Sequence, residues 1–138
     1  MEPLDLTKQP PRGPREQLDG LLLMPRTIDK LRAMLPGGKP GEYKIPGFSA
    51  RMLEKIGVKE DELLEAVRHA SSDDDVAVWL RAHADTSKYP EVNQHFESLK
   101  VADVKDPTGF DERYPVRKRL GLQHLLDVLE ADDREHFT

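Results

Sequence analysis

Arg26 directly follows Pro25 at what reads as the start of a helix, where the positive end of the helix dipole disfavours a cation. A guanidinium placed there needs an acid or an anion beside it. Asp29, one turn on, is one partner; the others are Glu42 on a later loop, or a ligand carboxylate or phosphate gripped by the planar fork. Asp29, Lys30 and Arg32 share the polar side of the same helix, and Glu42 and Tyr43 lie on the loop behind it. Together these six residues could line a small polar pocket for an acidic ligand, or form a salt-bridge network that holds no ligand.

Five histidines offer bases and metal ligands. Glu65 with His69, and Glu91 with His95, are spaced four apart, whereas carboxylate-bridged metal bundles use Glu-x-x-His on two helices. His124 and Asp127 are three apart but stand alone, so no metal ligand is assigned. His83 falls beside Trp79 on a stripe expected to face inward, and Trp79 itself reads as core. An acid–base enzyme would use His83 or His95 with a carboxylate.

Three other motifs fail on inspection. Gly37-Gly38-Lys39-Pro40 lacks the upstream glycine of a phosphate loop and has proline where Ser or Thr would hold magnesium. Gly47-Phe48-Ser49-Ala50-Arg51 lacks the last glycine of a nucleophile elbow. Ile45-Pro46-Gly47-Phe48-Ser49 is a poor version of the helix-hairpin-helix turn that lays backbone amides on DNA phosphates, with serine at the second glycine position.

Composition narrows the classes. The 138 residues suffice for one domain with its own core. Cysteine is absent, which excludes disulfides, thiolate nucleophiles and thiolate metal sites. Charged residues make up 34% of the chain, and the net charge is −5. Residues 1–69 hold 12 basic against 11 acidic side chains; residues 70–138 hold 9 against 15. A nucleic-acid binder advertises a basic domain, and this chain does not. The dense basic run of Arg113, Arg117, Lys118 and Arg119 reads as a solvated helix start among acids, with a phosphate or partner contact as the other reading. No apolar run approaches a membrane span and the polar start has no signal-peptide block, so a soluble cytoplasmic protein is expected.

The elements that position these side chains follow from apolar spacing. Residues 1–13, rich in proline, read as an extended lead-in. Pro14 opens a short helix running toward Leu23, and Pro25 restarts the chain into a helix with Ile28, Leu31, Met34 and Leu35 inward. Residues 36–47 hold three prolines and four glycines and form a loop. Ser49 is placed as the N-cap of a two-turn helix ending at Gly57. Further helices carry Leu63, Leu64, Val67 and Ala70, then Val76, Trp79, Leu80 and His83 after capping boxes at Ser71 and Ser72. Two more carry Val92, Phe96 and Leu99 after Pro90, and Leu122, Leu125, Leu126 and Leu129. No strand alternation appears.

Pro14-Arg15, Gly20, Pro25-Arg26, Ile28-Asp29-Lys30 and Arg32-Ala33, followed by Gly41-Glu42-Tyr43, resemble a bacterial family known as a domain of unknown function. The likeness continues through Leu53, Ile56-Gly57 and the segment from Asp75 to Trp79. Where many members carry a Tyr-Asn-Cys-Pro-Leu-Asp-like stretch after Glu-Tyr, this chain has Lys44-Ile45-Pro46-Gly47-Phe48-Ser49, without the cysteine. The resemblance implies a compact fold and a bacterial cytosolic origin, and transfers no catalytic residue.

The sequence thus predicts an all-α protein: one irregular or orthogonal bundle of six or seven short helices over residues 14–131, with a polar tail at 132–138. The expected function is a non-catalytic binding module for a partner protein or small acidic ligand at Arg26, Asp29, Lys30, Arg32, Glu42 and Tyr43. No cofactor is expected. A small acid–base or metal-dependent enzyme using His83 or His95, and a weak helix-hairpin-helix-like nucleic-acid binder, are the other readings.

Overall fold

The computed structural model describes residues 1–45 and 47–137. Pro46, part of the helix-hairpin-helix-like turn, and Thr138, the end of the expected tail, lie outside the described residues.

The chain is mostly helical, with one departure from the all-α expectation. Where a helix was expected from Pro14 to Leu23, β1 (Gln17–Leu18) pairs antiparallel with β2 (Leu21–Leu22), Gln17 opposite Leu22 and Leu18 opposite Leu21. Asp19 and Gly20 connect them with φ of 54° and 82°. Two central residues with positive φ make a type I′ turn, whose twist suits a two-residue hairpin and for which Asp-Gly is a preferred sequence. That local preference overrides the proline-led helix start. Asn93 secures the hairpin, accepting from Leu22 N at 2.9 Å and donating to Gly20 O at 2.6 Å.

Eight α-helices follow among the described residues: α1 (Met24–Ala33), α2 (Phe48–Lys55), α3 (Glu60–His69), α4 (Asp73–His83), α5 (Tyr89–Ser98), α6 (Pro107–Arg113), α7 (Val116–Leu120) and α8 (Leu125–His136). This exceeds the expected six or seven because Pro107 and Pro115 divide the acidic and basic stretch into two short helices. Asp106 caps α6 by accepting from Gly109 N at 3.1 Å. α1 packs on α3, α5 on β2 and α8, and α7 on α8. The core gathers Met24, Ile28, Leu31, Met52, Leu63, Val67, Leu80, Phe96 and Leu125, all fully buried. Met34, predicted inward, is instead 49% exposed, because α1 ends at Ala33 and the turn to Pro36 swings it out.

Two capping expectations change. Ser49 lies inside the first turn of α2, with Gly47 at the cap, and its buried hydroxyl turns to α1. Ser72 occupies the N-cap of α4 without a side-chain cap bond, while Asp75 reaches back to accept from Ser71 N at 2.8 Å. The lead-in is held down: Leu6 is buried, and Leu6 N donates to Lys39 O at 2.7 Å. Arg12 pairs with both Asp29 and Asp73. Residues 132–136, expected as a polar tail, continue α8, because Asp133 has a buried partner across the bundle.

Candidate functional site

A cavity of about 720 Å³ opens between α1, residues 41–44 and 47–49, α6 and α8. α1 supplies Arg26 and Lys30 one turn apart on one face, preceded by Leu23, a buried residue held at φ 69°. A left-handed backbone at a non-glycine residue costs about 1–2 kcal/mol, so this wall is held against local preference by its packing. Gly47, at φ 117° and ψ −127°, makes the turn into α2 in a region that side chains rarely adopt and sets Phe48, Ser49 and Arg51 along the rim.

Arg26 is 3% exposed and grips Asp133 with two prongs, Nη1 to Oδ2 at 2.6 Å and Nη2 to Oδ1 at 3.0 Å. Nη1 also donates to Arg12 O at 3.3 Å. The Tyr43 hydroxyl donates to Asp133 Oδ1 at 2.9 Å, and the Arg26 guanidinium sits 5.6 Å from the centre of the Tyr43 ring. Burial, then the Asp133 charge, pushes the Tyr43 phenol well above its usual range, so it stays a donor. Arg26 therefore has the acid its position demanded, but from α8 and not from Asp29 or Glu42. Asp29 faces away and accepts from Arg12 N and its guanidinium, with Arg32 a further 3.8 Å contact.

Of the six residues singled out from sequence, Arg26, Lys30, Glu42 and Tyr43 line the cavity; Asp29 and Arg32 are not among its lining residues. Lys30 stands apart from the others. Its ammonium makes no salt bridge among the described residues, and its one hydrogen-bond partner is the Ser49 hydroxyl at 3.5 Å. Burial first, then the charges of Arg26 and Arg113, press its pKa down to about 7 against the opposing pull of Asp133. Ser49 is 2% exposed and shares a 3.0 Å contact with the Thr27 hydroxyl, which donates to Leu23 O at 2.7 Å.

The remaining wall was not legible as a site. Arg51, Lys105 and Arg113 add cations; Phe48, Phe110 and Tyr114 add an aromatic lining; Asp106, Asp132 and His136 complete the rim. Phe48 and Phe110 meet edge to face at 6.3 Å, and the Arg113 guanidinium lies 5.6 Å from the Tyr114 ring centre. His136 Nε2 meets Glu42 Oε2 at 2.7 Å across the mouth, and that hydrogen bond raises the imidazole pKa. Burial raises the carboxyl of Asp132. The signal for Arg113 was its place in the basic run, read as solvated because nothing in sequence brings it against α1.

His83 and His95, the bases of the enzymatic reading, both stand at the surface and outside this cavity. His83 was expected inward; it stacks on the outer face of half-buried Trp79 at 4.2 Å and hydrogen-bonds Trp79 O at 2.8 Å. No group of three or more metal-ligating side chains occurs among the described residues. No helix among the described residues is long and apolar enough to cross a membrane.

No curated protein matches the chain. Residues 8–134 match the model of a family described as Domain of unknown function (DUF5069), and the chain belongs to that family.

Proposed function

We propose that the cavity binds a small organic anion with an aromatic or apolar body, and that the protein is a binding module for such a ligand. The carrying observation is Lys30: an ammonium set in a cavity wall, close to two guanidinium groups, with no carboxylate paired to it among the described residues. Like charges brought together inside a cavity are costly unless an anion joins them. Arg26 is neutralised by Asp133, so the cations left to meet a ligand are Lys30, Lys44, Arg51, Lys105 and Arg113, which outnumber the lining carboxylates Glu42, Asp106 and Asp132. Phe48, Phe110 and Tyr114 provide the apolar surface that a ligand body would cover. The bacterial cytosolic setting implied by the resemblance is part of the same proposal.

The test is a thermal-shift and calorimetric comparison of phenyllactate, citrate and inorganic phosphate with an uncharged control such as benzyl alcohol. A ligand that binds the native state raises Tm by mass action. Phenyllactate is expected to raise Tm in the native chain and to lose most of that effect in Lys30→Met and Arg113→Gln. Equal shifts from acid and alcohol, or shifts that survive both substitutions, would refute the reading.

A further inference from the structure

The arrangement around Lys30 is richer than anion binding requires. Thr27 has one hydroxyl proton, and the 2.7 Å approach to Leu23 O uses it. In the 3.0 Å contact with Ser49, the proton then comes from Ser49. This leaves the Ser49 oxygen as an acceptor toward Lys30 Nζ at 3.5 Å. The chain runs from Lys30 through Ser49 and Thr27 to the Leu23 carbonyl, and all three groups beyond Lys30 are buried. It takes at most one N–H of the amine, and Lys30 lines the cavity.

Building on the anion-binding reading, we propose that Lys30 is a nucleophile that forms a reversible imine with an α-oxo acid held in the cavity, the acid's carboxylate resting against Arg113. The charge arrangement supports the amine form. With the ammonium pressed down to about 7, a large share of Lys30 is neutral near pH 7, whereas a solvated lysine near 10.4 is almost wholly charged. A lysine desolvated beside another cation is one of the recurrent ways in which proteins activate an amine toward carbonyl carbon. The charged groups that bear on Lys30 are Arg26 and Arg113, which favour the neutral form, and Asp133, which opposes them.

The step balances without an oxidant or reductant. The Lys30 nitrogen attacks the ketone carbon, an N–C bond forms, and the carbonyl π pair moves to oxygen, which takes a proton from nitrogen. Protonation of the resulting hydroxyl releases water and leaves a protonated C=N bond. That proton comes from solvent; Tyr114, on the same wall with its phenol pushed upward by burial, keeps its own proton and can donate a hydrogen bond to the hydroxyl.

The experiment uses the full chain with pyruvate and phenylpyruvate as probes, sodium cyanoborohydride as trap, and peptide mapping by mass spectrometry at pH 7. Cyanoborohydride delivers hydride to the iminium carbon and fixes the adduct as a secondary amine. Lys30 is expected to be modified on the order of tenfold faster, or more, than exposed Lys39, Lys59 and Lys100. Excess phenyllactate, which has no ketone, should protect Lys30 and leave the exposed lysines unaffected. Lys30→Arg should abolish the fast adduct; should that variant fail to fold, the protection experiment on the native chain decides alone. Lys30 labelling no faster than the exposed lysines, with phenyllactate still raising Tm, would overturn the imine and leave the binding reading intact. No labelling preference and no phenyllactate shift would overturn both.

Discussion

Arg26 and Asp133, 107 residues apart in the sequence, close a buried two-pronged ion pair that fastens the last helix to the first. The Tyr43 hydroxyl completes the carboxylate's shell, so three segments converge on one acid. Arg26 in this setting is paired within the protein and anchors α1 to α8.

Arg26→Ala should accordingly cost about 3–5 kcal/mol in urea unfolding, because it strands a buried carboxylate. The paired replacement Arg26→Leu with Asp133→Leu should recover most of that loss, since apolar side chains of similar volume avoid the desolvation cost of both charges. An Arg26→Ala protein as stable as the native chain would contradict the geometry.

Lys30 makes stability depend on pH in a definite direction. Its pKa falls from an ordinary 10.5 to about 7 on folding, so between those values the unfolded chain holds more protons than the native one. Stability therefore rises with pH across that window. Lys30→Met should be more stable than the native chain at pH 6, by on the order of 1–3 kcal/mol, and the gap should close toward pH 10.5. Denaturant midpoints of the two proteins at matched pH measure the difference.

The pH profile of binding has its own sign. An anion prefers the charged ammonium, so phenyllactate affinity should weaken as pH rises above about 7, and calorimetry at pH 6 and pH 8.5 reads the change. Lys30→Arg, which stays charged, should flatten that profile.

His136 behaves oppositely to Lys30. Its contact with Glu42 raises the folded pKa above 6.5, so the stabilisation is full below 6.5 and is lost as pH climbs through the raised value. Both groups face solvent, which keeps the contribution under about 1 kcal/mol. Proton NMR of the imidazole should show the titration returning toward 6.5 in Glu42→Gln.

Gly20 tests the hairpin. At φ 82° a side chain is strained, so Gly20→Ala should lose about 1 kcal/mol, whereas Gly20→Asn, which tolerates the left-handed region, should lose less. Thermal unfolding of the two variants ranks them.

The helices over Met24–Ala33, Glu60–His69, Asp73–His83 and Tyr89–Ser98 were legible because apolar spacing and proline starts act locally. The Asp19-Gly20 hairpin was also written in the residues, but a proline-led helix reading competed with it. Arg26 was rightly seen to need an acid, yet its partner depends on tertiary packing: Asp133 looks solvated in a run of acids until Leu125, Leu126 and Leu129 dock α8 on the core. Lys30 was noticed as part of a polar face, but its burial, which lowers its pKa, comes with the turn at Gly47 and the arrival of α6. Neither leaves a trace near residue 30.

The separation of Arg26 from Asp133 sets a constraint on biosynthesis. At about 5–20 residues per second, a ribosome adds the carboxylate roughly 5 to 20 s after the guanidinium has been made. Throughout that interval the nascent segment carries a cation destined for a dry interior with nothing yet to neutralise it. The pairing that closes α1 onto α8 therefore forms only after α8 has been made.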